Sequence, residues 1–399
     1  MHRFSANYIF PVSQPPIRNG VVEVDDDGVI MRVFHPGNSP KEIHSTEFYN
    51  GVIVPGFVNA HCHLELSHLR GKIPKNLGIA GFIKAITEQR GTDEEVQNHG
   101  ELVERAIAGA IHEMEQTGTV AVGDISNSAD TLLAKLQSDI YFHNFIEVFG
   151  LNPNEAQSIF EGYLEVYEVF KQKFCGSTSL TPHSPYSISQ PLWEKISEFI
   201  GKSKELVSIH YAESAAEYQF LQDGTGPLSD RYQSAGIPFC KPQGLTPRGV
   251  VSRYVNRDCK VMLIHNTFAP AEELSWLAAI YPQTTVVTCP ESNLLIEGKL
   301  PNLPEFETSG LNIAIGTDSL ASSSSLSMLS QINIILQHFP QLTFSNVLQW
   351  ATLNGAEALG ISSTYGSLEP GKKPGLVLIT GFDFRNMCAT PQSLAKRLI

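Results

Sequence analysis

Histidines and carboxylates that follow apolar runs are the residues of this 399-residue chain best suited to chemistry. His61 and His63 form an HxH pair directly after an apolar stretch. Residues i and i+2 of an extended chain point to the same face, so two such imidazoles can reach one ion. The same pair would also fit two exposed loop histidines, so a metal site requires further ligands elsewhere in the chain.

Three further residues stand at or just past the ends of other apolar runs, namely His210, His265 and Asp318. In a parallel barrel the carboxyl ends of the strands carry the working residues. Neutral imidazoles together with one carboxylate suit zinc first, with iron or manganese as alternatives. Asp318 has a competing interpretation as the N-cap of a helix that starts at Ser319.

Glu213 lies three residues after His210, and two interpretations of its carboxylate stay open. It could lie in the first turn of the following helix, where the helix dipole stabilises a negative charge. It could instead deliver a proton to a ring nitrogen of a bound substrate, provided that its surroundings keep it protonated part of the time. His183 also follows an apolar run and is a further candidate.

Eight apolar runs alternate with helical patterns, which indicates βα units and a parallel sheet. The runs are 52–54, 119–122, 140–148, 178–181, 206–209, 261–264, 285–288 and 311–315. Eight is the number that closes a (β/α)₈ TIM-type barrel, an α/β fold, and we expect this catalytic barrel over 53–360. Short β segments in 1–52 and 361–399 are expected to pair as one small β-sandwich domain.

Composition restricts the partners and the compartment. Lys plus Arg number 28 against 41 for Asp plus Glu, and this net charge of −13 argues against nucleic acid and against an anionic membrane surface. Six cysteines without a CxxC pair indicate reduced thiols. Because neither an apolar signal core nor a membrane-length apolar run is present, we expect a cytoplasmic protein that acts on a small molecule, with a homo-oligomer left open.

Several phrases resemble, in this order, the amidohydrolase superfamily. They are PGFVNAHCHLELS (55–67), SLTPHSPYS (179–187), SIHYAES (208–214), LIHNT (263–267), CPESN (289–293), IAIGTDSLAS (313–322), ATLNGAEALG (351–360) and GSLEPGKKPGLVLI (366–379). The likeness covers essentially the whole chain. It is strongest to the hydrolytic deaminase branch, which includes triazine hydrolases, S-adenosylhomocysteine deaminase and aminofutalosine deaminase.

The resemblance implies one divalent metal ion per chain. Its ligands would be His61, His63, His210 and Asp318. His265, together with Asp318, would orient the attacking water and accept its proton, Glu213 would move protons to the substrate, and His183 would contact the substrate near the reacting carbon. Binuclear relatives use a lysine at the end of the fourth strand. No lysine occurs in 177–183, which favours a single ion.

Three further residues are expected to contact the substrate. The HLELS phrase resembles the aminofutalosine deaminase group, and its Glu65 could orient a ribose or another polar substrate group. The alternative for Glu65 is a loop carboxylate paired with Arg70. Ser292 and Asn293, in the CPESN phrase, complete the expected substrate-binding set.

The expected reaction is hydrolytic replacement of an amino group on an aromatic nitrogen heterocycle by an oxo group, with release of ammonia. A 6-aminopurine nucleoside-like compound, such as aminofutalosine or an adenosine derivative, is the expected substrate. A divalent ion lowers the pKa of a coordinated water from 15.7 to about 7, which suits hydrolysis at neutral pH. The alternatives are opening of a cyclic amide, dechlorination of a triazine, a non-catalytic binding protein and a purely structural metal site.

Overall fold

The computed structural model describes residues 1–35, 37, 46–94, 99–308 and 310–399. The strands are β1 (His2–Ile9), β2 (Ile17–Arg18), β3 (Val21–Val24), β4 (Ile30–Phe34), β5 (Thr46–Pro55), β6 (Phe57–Cys62), β7 (Thr119–Ser126), β8 (Tyr141–Val148), β9 (Ser177–Pro182), β10 (Val207–Tyr211), β11 (Val261–His265), β12 (Thr284–Thr288), β13 (Asn312–Ile315), β14 (Leu376–Thr380) and β15 (Leu394–Arg397).

The helices alternate with the strands through the middle of the chain. They are α1 (Gly78–Glu94), α2 (His99–Gln116), α3 (Leu132–Leu136), α4 (Ala156–Lys173), α5 (Gln190–Ser203), α6 (Ala215–Asp223), α7 (Pro227–Ser234), α8 (Pro247–Tyr254), α9 (Ala271–Ile280), α10 (Pro290–Glu297), α11 (Leu303–Thr308), α12 (Met328–His338), α13 (Phe344–Trp350) and α14 (Leu353–Ala358), with 3₁₀ helices at Leu64–Leu69 and Pro153–Glu155. None of the helices that the structure describes combines the length and the apolar character that crossing a membrane requires.

Two four-stranded parallel sheets form the centre of the fold. Their strand orders are β6-β7-β8-β9 and β10-β11-β12-β13. Every residue of β7 and of β10 is buried, as expected for parallel strands that are covered on both faces. The molecule therefore has a mixed α/β fold with parallel sheets.

Both edge strands of the first parallel sheet contact an edge strand of the second: β9 meets β10, and β6 meets β13. Between β9 and β10, the backbone N–H of His210 donates to the carbonyl of His183 at 2.8 Å. Between β6 and β13, the backbone N–H groups of Thr317 and Asp318 donate to the carbonyl of His61 at 3.1 and 3.0 Å. These contacts bring together strand ends that are far apart in sequence.

A seven-stranded sheet joins the two ends of the chain. Its order is β15-β14-β5-β1-β3-β4, with β2 paired to β1. The terminal segments therefore pair as expected, because β14 lies antiparallel to β5, with Val377 opposite Val54. The expected arrangement of this region as a two-layer sandwich stays a prediction.

The assignment of 52–54 to the first strand of the parallel series is wrong. These residues belong to β5 in the terminal sheet, and the first parallel strand is β6. The chain passes from the terminal sheet into the first parallel sheet at Gly56. A Cβ at this position would lie 2.5 Å from the carbonyl oxygen of Pro374. Both β5 and β6 are apolar and buried at this point, so hydrophobicity alone could not separate them.

Candidate active site and metal centre

The four expected metal ligands converge at the carboxyl ends of β6, β10 and β13. The Nε2 atom of His63 lies 3.1 Å from Nε2 of His61 and 3.3 Å from Nε2 of His210. It also lies 3.6 Å from Oδ1 of Asp318. His265 joins the cluster, since its potential ligand atom lies within 4.8 Å of those of His61 and His210.

Backbone contacts fix the position of Asp318 beside the HxH pair. The side chain of Asn59 donates to Oγ1 of Thr317 at 2.7 Å and accepts the backbone N–H of Thr317 at 3.0 Å. Gly316 permits this close approach, because a Cβ there would lie 2.8 Å from Cβ of His61. Asp318 adopts a left-handed φ of 58°. The backbone thus turns at the strand end and directs the carboxylate into the cluster.

The helix N-cap interpretation of Asp318 is wrong. No helix occurs in 319–326, and the next helix, α12, has Ser327 as its N-cap. The Oδ2 atom of Asp318 instead accepts hydrogen bonds from the hydroxyls of Ser292 and Ser322. These two hydroxyls orient the carboxylate and leave Oδ1 facing His63.

The chemistry of this donor set fits a divalent cation. Burial lowers the pKa of His61 and of His210, and it lowers the pKa of His63 to about 3, so the three imidazoles are neutral at pH 7. Burial opposes ionisation of Asp318, but attraction to His63 and the other histidines in their protonated forms at low pH, together with the hydrogen bond from Ser292, holds the pKa of that carboxyl below its ordinary value, so it is charged at pH 7. Neutral imidazoles whose Nε2 atoms face one another offer lone pairs that a cation can accept together.

His265 and Glu213 form a pair beside the cluster. Nδ1 of His265 lies 2.8 Å from the amide oxygen of Asn293, so Nδ1 carries the proton and Nε2 keeps its lone pair. Nε2 of His265 is buried and has no hydrogen-bond partner among the described residues. Oε1 of Glu213 lies 3.5 Å from this atom. The two groups can therefore act on the same small ligand.

Glu213 is buried and precedes the helix rather than lying in its first turn. Helix α6 begins at Ala215, with Ser214 as its N-cap, so the helix-dipole interpretation of Glu213 is wrong. Burial raises the pKa of Glu213 to about 8, and the charge of Asp318 acts in the same direction. Such a carboxyl is mostly protonated at neutral pH and still close enough to its pKa to release the proton, as a proton carrier requires.

A cavity of about 1160 Å³ opens onto this cluster. Seven of the ten expected site residues line it, and His61, Ser292 and Asn293 do not. Side chains from two helices also line it, including Ile79 and Phe82 from α1 and Ile159 and Tyr163 from α4. The lining thus combines the polar strand ends with apolar side chains, and it also includes the cations Arg90 and Arg231.

Glu65 and His183 both line the cavity. Glu65 is buried and accepts the backbone N–H groups of Asn127 and Ser128, while Arg70 pairs with Glu113. The suggested Glu65–Arg70 pair is therefore wrong, and a substrate contact of Glu65 stays a prediction. Nδ1 of His183 lies 2.8 Å from the hydroxyls of both Ser184 and Ser187, which holds the imidazole against the cavity wall.

Ser292 and Asn293 lie on α10 and are bonded to other site residues. The hydroxyl of Ser292 donates to Asp318, and the amide oxygen of Asn293 accepts from His265. Both side chains are buried. Their expected contact with substrate stays a prediction.

Sequence reasoning missed Glu147, the penultimate residue of β8. It is buried and lines the cavity, and its Oε1 atom lies 3.4 Å from Nδ1 of His210. Burial raises the pKa of Glu147 to about 8. The available signal was a single carboxylate at the end of the apolar run 140–148, which is where a parallel strand places its working residues.

Comparison with known proteins identifies the family. Residues 52–396 match the amidohydrolase family, so the chain belongs to that family. An adenosine deaminase of Helicobacter pylori is 26% identical over 364 residues, which cover 88% of this chain and 84% of that protein. The family expected from the sequence phrases is confirmed.

Two solved structures share the fold. The Helicobacter pylori aminofutalosine deaminase in complex with methylthio-coformycin matches with a TM-score of 0.80 at 23% identity, over 96% of this chain and 93% of that one. An adenosine deaminase from Xanthomonas campestris with bound zinc matches with a TM-score of 0.72 at 23% identity, over 94% and 84% of the two chains. At these identities the likeness establishes the fold alone.

Proposed function

We propose that this protein is a metal-dependent hydrolytic deaminase of aromatic nitrogen heterocycles. It replaces the ring amino group by an oxo group and releases ammonia, and its substrate is a 6-aminopurine nucleoside-like compound. The observation that carries this proposal is the pairing of Glu213 with His265 beside the His/Asp cluster, at the floor of the cavity. Relatives that are named as deaminases support the same class of reaction.

The proposed metal site consists of His61, His63, His210 and Asp318, holding one divalent ion, with zinc as the first candidate. When bound, such an ion makes a water molecule nucleophilic at neutral pH. The zinc in the Xanthomonas campestris structure supports this choice of metal.

The remaining chemistry belongs to side chains of this chain. Nε2 of His265, with its lone pair free, and Asp318 accept hydrogen bonds from the attacking water and take up its proton. The protonated fraction of Glu213 donates to the ring nitrogen beside the amino-bearing carbon. The resulting carboxylate then takes the proton of the newly added hydroxyl group and passes it to the departing amine. The proton held by His265 and Asp318 returns to Glu213, so that one water is consumed and one ammonia is released. Asn293 and Ser292 orient His265 and Asp318 for these steps.

We infer that the eight parallel strands close into a (β/α)₈ barrel and that the terminal sheet forms a separate small domain. The sheet edges meet at β9–β10 and at β6–β13, which supports closure. The boundary expected at residue 52 moves to Gly56, because β5 pairs within the terminal sheet.

Ammonia release tests the proposed function directly. Purified protein that has been loaded with zinc is incubated with a panel of 6-aminopurines, their nucleosides, cyclic amides and chlorinated triazines, and ammonia, ring opening and chloride are measured. Ammonia release from the aminopurine nucleosides supports the proposal. Ring opening or chloride release without ammonia assigns the site to one of the alternative hydrolyses.

A further inference from the structure

A second buried glutamate lies next to the proposed proton carrier. Glu217, in the first turn of α6, is fully buried, and its Oε2 atom accepts the backbone N–H of Glu213 at 2.9 Å. Its other oxygen, Oε1, is buried without a hydrogen-bond partner among the described residues. Glu217 does not line the cavity. It can therefore influence the reaction only through the residues that it holds.

The backbone is strained at the residue directly before the amide that Glu217 binds. Ala212 adopts a left-handed φ of 48°, a conformation that residues with a Cβ rarely take. The N-cap Ser214 accepts the backbone N–H of Glu217 at 3.1 Å, while Glu217 reaches back past the cap to Glu213. This arrangement is a variant of the capping box, in which the glutamate normally binds the N-cap residue itself.

We propose that Glu217 is a positioning residue that holds Glu213 in the orientation required for proton transfer. The inference rests on the proposed role of Glu213. The carboxyl group of Glu217 fixes the turn after β10, and this turn directs Oε1 of Glu213 toward Nε2 of His265. A glutamate that served only as a helix cap would stabilise α6 without any specific effect on Glu213.

Two substitutions separate positioning from general stability. Glu217→Ala removes the acceptor of the Glu213 amide. The resulting displacement of Glu213 slows the chemical step, so kcat is expected to fall on the order of 10- to 100-fold. KM and zinc content are expected to stay near the wild-type values. Glu217→Gln keeps an acceptor oxygen and is expected to restore most of kcat. The matched control is Glu273→Gln, another buried glutamate, which accepts the hydroxyls of Tyr211 and Tyr218 and for which near wild-type kcat is expected.

A double-mutant cycle gives the decisive kinetic result. If Glu217 acts through Glu213, Glu217→Ala causes no further loss of kcat in a Glu213→Gln background. A full additional loss in that background would overturn the proposal, and so would an unchanged kcat in Glu217→Ala alone.

Hydrogen exchange tests the geometry without any activity. The amide of Glu213 is expected to exchange faster in Glu217→Ala and at near the wild-type rate in Glu217→Gln. Unchanged protection in Glu217→Ala contradicts the positioning role. The two proposals can fail separately. If the wild type releases no ammonia from any substrate while Glu217→Ala still loses protection at Glu213, the proposed function is wrong and the structural contact of Glu217 is supported.

Discussion

Oε1 of Glu213 lies 3.5 Å from Nε2 of His265, and both side chains are buried at the carboxyl ends of neighbouring parallel strands. The histidine keeps a free lone pair toward the cavity, and the glutamate has a pKa raised to about 8 by burial. A proton acceptor and a proton donor of this kind, side by side, suit a reaction that takes a proton from water and returns it to a leaving amine.

Glu213→Gln is expected to abolish most of the turnover while the protein keeps its metal. Glutamine fills the same space but cannot transfer a proton, so kcat should fall on the order of 10²–10⁴-fold. Steady-state kinetics and metal analysis of the same preparation measure both effects. Wild-type turnover in this variant would remove Glu213 from the mechanism.

Much of this site could be predicted from sequence because the relevant residues follow apolar runs. Seven of the eight predicted runs coincide with the parallel strands β7 to β13, and the histidines and Asp318 converge at the ends of β6 and of those strands. The run 52–54 was misassigned because a buried strand of either sheet has the same apolar pattern.

Two carboxylates of the site could not have been assigned from sequence in this way. Glu147 shares its run with the polar residues His143 and Asn144, and nothing in the run indicates which of the three side chains faces the site. The first-turn position suggested for Glu213 is occupied by Glu217 instead, because α6 begins at Ala215. Exact helix starts depend on backbone turns such as the left-handed Ala212, which a single sequence does not reveal.

Asp318→Asn is expected to weaken metal retention and turnover together. The carboxylate supplies the only negative charge among the four proposed ligands, and an amide binds divalent cations less strongly. Metal content after dialysis against a chelator, followed by an activity assay, checks this prediction. A variant that stays fully metallated and active would contradict the placement of Asp318 in the site.

Ser292→Ala is expected to reduce metal affinity by about 10- to 100-fold without removing a ligand, because it deletes a hydroxyl that orients Asp318. Competition with a zinc-binding dye measures the affinity. Ser252→Ala is a suitable control, since that exposed hydroxyl donates to the carbonyl of Gly249 within its own helix. Equal affinities in Ser292→Ala and wild type would show that Ser322 suffices to orient the carboxylate.

Purified protein is expected to hold one divalent ion per chain. Strand β9 and the following His183 contain no lysine that could bridge two ions, although Glu147 lies close enough to His63 and His210 to be tested as an additional ligand. Elemental analysis of the wild type and of Glu147→Gln measures the stoichiometry. Two tightly bound ions in the wild type, and one in the variant, would replace the mononuclear assignment with a binuclear one.

Lys135→Met is expected to destabilise the fold by about 3–5 kcal/mol, because it leaves Asp124 buried without its counter-charge. Nζ of Lys135 lies 2.6 Å from Oδ2 of Asp124, and both side chains are fully buried. Oδ1 of Asp124 accepts the backbone N–H of Leu64 at 2.9 Å, directly after the ligand His63. Loss of the pair should therefore loosen the HxH segment as well as the fold.

Denaturant unfolding of the metal-free protein measures the free energy of this substitution, and chelator competition measures its effect on the metal. Lys84→Met is the matched control, since Lys84 forms an exposed pair with Glu88 that is worth at most about 1 kcal/mol. The double variant Lys135→Met/Asp124→Asn removes both charges and should recover part of the stability. Metal affinity should stay low in this double variant if the charged Asp124 carboxylate is needed to bind the backbone N–H of Leu64 and so to position His63. Recovery of full affinity would mean that Asp124 contributes to the fold alone.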